Sequence, residues 1–106
     1  MKQFTDSAQT AVLVGLGLPK PKSVCKLTLD LDMDYTPSFA YSIGELLEMI
    51  ENKATIHIRR VATKNKYRIN LHTIGNDGRI FDGEFTPELI DALFDVVVEL
   101  RKEKVI

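Results

Sequence analysis

The stretch "LTLDLDMDYT", residues 27–36, sets an aspartate at every second position: Asp30, Asp32 and Asp34. Divalent cations prefer carboxylate ligands, so a metal ladder is the first chemistry to weigh. Alternate residues of a strand share a face about 7 Å apart, too far for two carboxylates to chelate one ion directly. The calcium-loop pattern fails as well. Counted from Asp30, its sixth position is Tyr35 where glycine is required, and its twelfth is Tyr41 where an acid is required. The aspartates therefore read as the solvated face of a strand, and no metal site is expected.

The remaining candidates for chemistry are few. Histidine is a common general acid or base, yet neither His57 nor His72 neighbours a Ser or Cys in a nucleophile context. His72 opposite Asp82 reads as a cross-strand polar pair. Cys25, the only cysteine, forms no intramolecular disulfide, builds no zinc site with two histidines alone, and falls on the inward side of its strand, where it behaves as a small hydrophobe. "GNDG" lies in a hairpin and opens no helix, so no phosphate cradle forms. No catalytic residue and no cofactor are expected, and the chain does not read as an enzyme.

Charge is the stronger signal. The net charge is only -1, but it is segregated: residues 30–52 contain no Lys or Arg, and residues 53–76 contain no Asp or Glu. Folded, these blocks either face each other or form patches of opposite sign. His57, Arg59, Lys64, Lys66 and Arg68, with Arg60 near the strand end, make a cationic hairpin that a phosphate backbone or an acidic partner would fit. Tyr67 points inward, so no aromatic is interleaved there for stacking on bases.

These side chains need elements to hold them. The spacing predicts a helix over about 6–16, capped by Thr5 or Asp6, with Ala8, Ala11, Val12 and Leu16 inward, and stopped by Gly17, Pro19 and Pro21. Period-two alternation predicts a strand over 24–33 with Cys25, Leu27, Leu29 and Leu31 inward. "DYTPSFA" reads as a loop because Pro37 restricts Thr36. Ser42 and Glu45 form a capping box for a helix that buries Ile43, Leu46, Leu47 and Ile50.

A three-stranded meander follows. Its first strand buries Ala54, Ile56 and Ile58, and its second buries Tyr67, Ile69 and Leu71. Pairing Ile74 with Ile80, across a turn in which Gly78 takes positive φ, sets Leu71 against Gly83 and His72 against Asp82. The last helix runs from Thr86 to about Lys104, with Thr86 as cap and Phe85 packed on Ile90. Its apolar positions sweep roughly 200°, more than one sheet face covers. A second layer must touch it, either another helix of the chain or a partner, and Phe94 and Val98 are the residues placed to self-associate.

The order is helix, strand, helix, three-stranded antiparallel meander, helix: an α+β domain with the helices packed on one face of a small sheet. At 106 residues with 44% apolar content, one domain (1–106) is expected. No 18-residue apolar run exists and the polar start "MKQFTDSAQT" is no signal peptide, so a cytoplasmic protein with no membrane association is expected.

"FTDSAQTAVLVGLGLPKPKS", "YSIGELLEMI" and "ELIDALFDVVVELRKEKVI" resemble segments of a family of small uncharacterised proteins encoded by phages and other mobile elements of gut-associated bacteria. The resemblance covers about half the chain and implies a genomic setting, with no catalytic residues to carry over. Together these readings point to a small non-enzymatic accessory protein whose partner is another protein, a homodimer included. Nucleic-acid binding through the basic strands is the alternative.

Overall fold

A reciprocal cap starts the first helix: the Gln9 amide donates to the Asp6 carboxylate while the Asp6 amide donates to the Gln9 side chain. The computed structural model describes residues 2–29, 31–51, 53–61, 66–73 and 80–106. Helix α1 spans Ser7–Gly15 and ends where Gly17 takes φ +82°, with the Arg101 guanidinium donating to the Leu16 carbonyl at 2.9 Å. Its buried residue is Leu13, whereas Ala8, Ala11 and Val12 face solvent. The expected stripe is thus rotated. Residues ahead of the helix set its roll, because Thr5 and Gln3 pair with the backbone of Tyr41 and Ile43.

Strand β1 (Ser23–Leu29) and strand β2 (Tyr35–Ala40) pair antiparallel as a sheet of their own. The segment expected to be a loop around Pro37 is therefore a strand. Both members of a two-stranded sheet are edges, where a proline without an amide proton is tolerated. Helix α2 (Ile43–Glu51) begins at the expected capping box, with the Glu45 amide donating to Ser42 Oγ and the Ser42 amide to the Glu45 carboxylate.

Strands β3 (Ala54–Val61), β4 (Lys66–Thr73) and β5 (Ile80–Asp82) form the antiparallel meander in the order β3-β4-β5. The β4–β5 register is two residues away from the expected one: Leu71 faces Phe81, and His72 faces Ile80 rather than Asp82. A two-residue slip leaves every side chain on its own face, so alternation cannot detect it. The Gly83 amide donates to the Ile69 carbonyl at 2.9 Å, an approach that a larger residue would block. The turn assigned to Ile74 and Gly78 lies outside the described residues.

Helix α3 spans Leu89–Lys102. Thr86 does not cap it, because its backbone bridges Tyr67 in both directions at 2.7 and 2.8 Å. Glu88 takes the cap position without a side-chain bond to the helix, its carboxylate accepting instead from the Lys2 amide at 2.9 Å, and Phe85 lies 5.5 Å beneath the Arg68 guanidinium instead of stapling to Ile90. Ile90, Leu93, Val96, Val97 and Leu100 are buried against β4 on one side and α2 on the other. The second layer that the wide apolar arc demands is α2, and Phe94 and Val98 pack half-buried at the margin of this core. The fold is α+β, with three helices and two small antiparallel sheets among the described residues. Among the described residues, no helix is long and apolar enough to cross a membrane.

Candidate functional site

The β1–β2 hairpin contradicts the inward face expected for its first strand. Leu27 is 59% exposed, Leu29 47%, and Leu31, beyond the strand end, fully exposed. The register explains what this surface is. Val24 pairs with Phe39, Leu27 with Pro37 and Leu29 with Tyr35, while Lys26 pairs with Ser38 and Thr28 with Thr36. Directly opposed residues share a face, so one side carries six apolar residues and the other carries lysine and hydroxyls. A bulge between Val24 and Lys26 makes this possible. It removes Cys25 from the alternation, brings Val24 into phase with Leu27, and leaves the exposed Cys25 thiol donating to the Ser38 carbonyl at 3.3 Å.

Sequence reasoning missed the second half of this face. Tyr35, Pro37 and Phe39 alternate with Thr36 and Ser38, a period-two signal that the proline obscured. All six residues stay open to solvent, and β1 and β2 pack chiefly on each other. At the base the hairpin is fixed. Glu45 of α2 accepts from the Lys22 amide, Ser23 Oγ and the Ser42 amide. Burial pushes the Glu45 carboxyl up, but these hydrogen bonds outweigh it and hold the group below the usual carboxylate range. Tyr41, fully buried beside it, donates its hydroxyl to the Pro19 carbonyl. At the far end the chain turns through residues 31–34, with Met33 in the left-handed region at φ 65° and Asp32 and Asp34 exposed.

The cationic strip lies in the other sheet, because β1 borders β2 and not β3. His57, Arg59 and Lys66 are exposed on it. Arg68 is half-buried, donates to the Gly83 carbonyl at 2.9 Å and covers Phe85, so its charge is partly committed to the sheet. Arg60 sits 6.0 Å over the Tyr67 ring, on the opposite face from Arg59. Lys64 and Asp30 lie outside the described residues. Arg59 directly opposes Arg68, a like-charge pair that the Gly83 bond helps to hold.

Among the described residues, two clefts border this framework. One of about 220 Å³ lies at the hairpin base between Lys20, Lys22, Glu45 and Met49. The other, about 400 Å³, runs between β5 and α3 over Phe81 and Val96, rimmed by Glu84, Asp95 and Glu99. Neither is lined by His57, His72, Cys25 or Asp32. Burial, with the neighbouring Asp91, Glu84 and Glu99 carboxylates, raises the Asp95 pKa. Asp91 itself is held low: burial raises it, but bonds from Gln9 and Lys2 and the Lys2 charge prevail. Among the described residues, no group of three His, Cys, Asp or Glu side chains is arranged to hold a metal. The chemistry this arrangement offers is association: an amphipathic hairpin, anchored at one end, with its apolar face uncovered. Compared with family models, curated proteins and solved structures, the chain matches none of them.

Proposed function

We infer that this chain is a non-enzymatic, protein-binding accessory protein that docks through the apolar face of its β1–β2 hairpin. One observation carries the reading: Val24, Leu27, Leu29, Tyr35, Pro37 and Phe39 share a face of an anchored hairpin and are all exposed. Scattered exposed apolar residues need no explanation, but a contiguous face does. Tyrosine and phenylalanine at its two ends suit the role, since rigid aromatics dominate interface energetics. A phage or mobile-element origin rests on the resemblance of the first, second and last helices, and a reducing cytoplasm suits a single exposed thiol. The nucleic-acid alternative has less support, because Arg68 is engaged by Gly83 and Phe85.

The test compares tagged wild type with a Leu27→Lys, Tyr35→Ser variant in the native host. Both positions are at least half exposed, so the variant is expected to fold as the wild type does, by far-UV circular dichroism and melting. Proteins retained by the wild type and lost by the variant support the reading. Equal retention by both, or nucleic acid as the retained species, overturns it.

A further inference from the structure

We propose that the occupant of the hairpin face is a second copy of this chain, packed face to face with its strands antiparallel to the first. The proposal rests on the protein-binding reading above and adds the identity of the partner. A lone two-stranded hairpin is marginal in water, and stability normally requires a third strand or a layer over the apolar face. Nothing among the described residues supplies that layer: exposure is 47% at Val24, 59% at Leu27 and 67% at Tyr35, from base to tip. From such fractions the open apolar face is on the order of 600 Å², near the roughly 800 Å² that each partner contributes to a standard specific interface.

The face is self-complementary under a two-fold axis. Its three cross-strand pairs run Val24–Phe39, Leu27–Pro37, Leu29–Tyr35, so the axis passes near the middle pair. Antiparallel packing then lays Phe39 of one copy near Tyr35 of the other, an aromatic contact at each end. Charge selects this direction over the parallel one. The tip of the hairpin is acidic, with Asp32 and Asp34 exposed, and the segment entering its base is basic, with Lys20 and Lys22 exposed. Parallel packing would bring two acidic tips together. Antiparallel packing seats each tip over the other copy's base, because Asp32 and Lys22 lie equally far in sequence, on opposite sides, from Leu27 at the axis. Lys22 is tied to Glu45 through its backbone amide, and its side chain is exposed at the hairpin base. The Cys25 bulge has a purpose in this arrangement: it completes the third apolar pair that the symmetric face needs.

Sedimentation equilibrium and light scattering from low to high micromolar concentration test the proposal on the full chain. Wild type is expected to dimerise. Leu27→Lys is expected to weaken the dimer by on the order of a hundredfold, since each dimer contains the position twice at its centre. Asp32→Lys and Lys22→Asp alone are each expected to weaken it by roughly tenfold, and the double variant to recover most of that loss. A strictly monomeric wild type overturns the proposal, as does a dimer indifferent to Leu27→Lys or a double charge swap no better than either single variant. If the wild type is monomeric while host proteins are still retained through the hairpin, the second-copy proposal falls and the protein-binding reading stands.

Discussion

Single side chains decide where the charges of this protein are satisfied. Glu45 closes the α2 capping box and also accepts two bonds from the hairpin base, so one carboxylate joins two elements. Asp91 is held by Lys2 and Gln9, whereas Asp95, one turn further on α3, has carboxylate neighbours in Asp91, Glu84 and Glu99. A carboxyl whose folded pKa is raised binds its proton more tightly in the folded state, so it destabilises the fold when ionised at neutral pH. That burden falls away as pH drops through the raised folded value towards the ordinary one. Asp95→Asn is therefore expected to melt at a higher temperature than wild type at neutral pH, and the advantage to vanish below the usual carboxylate range. Thermal melts across that window, monitored by circular dichroism, check it.

At the scale of elements, local chemistry was readable and non-local closure was not. The Ser42–Glu45 box, the Gly17 stop and strands β3 and β4 rest on neighbours in sequence, and each formed where the residues indicated, although Ile58, expected inward with Ala54 and Ile56, is 45% exposed. Thr86 failed as a cap because Tyr67, far away in the chain, claims its backbone. The β1 alternation correctly announced a strand, but whether its leucines face protein or solvent depends on what lies opposite. Val24 and Cys25 are both apolar, which hid the bulge. The β4–β5 register turned on one close approach: a Cβ on Gly83 would lie 2.9 Å from the Ile69 carbonyl oxygen, and backbone cannot yield cheaply. Gly83→Ala is expected to cost about 1–3 kcal/mol, as overpacking of this kind does. Urea denaturation measures it, and a midpoint equal to wild type would show that the register tolerates a side chain there.

For the whole molecule, shape and charge agree. The radius of gyration is 15.4 Å and the long dimension 55 Å, against roughly 13 Å expected for a compact chain of this length. The packed body of α1, α2, α3 and the meander accounts for the core, and the β1–β2 hairpin has an uncovered apolar face. The candidate site itself was half legible. Leu27 and Leu29 marked one strand of the face, and the other strand was concealed by Pro37. The acidic block places Asp32 and Asp34 at the hairpin tip and Glu45, Glu48 and Glu51 on α2, apart from the basic residues of β3 and β4, and the hairpin sets exposed lysines at its base against the exposed aspartates at its tip. Surfaces with this polarity associate with direction, and salt should weaken that association by screening the end contacts.

Hydrogen exchange followed by mass spectrometry, at low and high protein concentration in the same buffer, tests the docking claim most directly. Covering the hairpin face stabilises both of its strands, so peptides spanning residues 23–29 and 35–40 are expected to exchange more slowly at high concentration, while α3 peptides keep their rates. Exchange in those two strands that does not change with concentration would contradict the account.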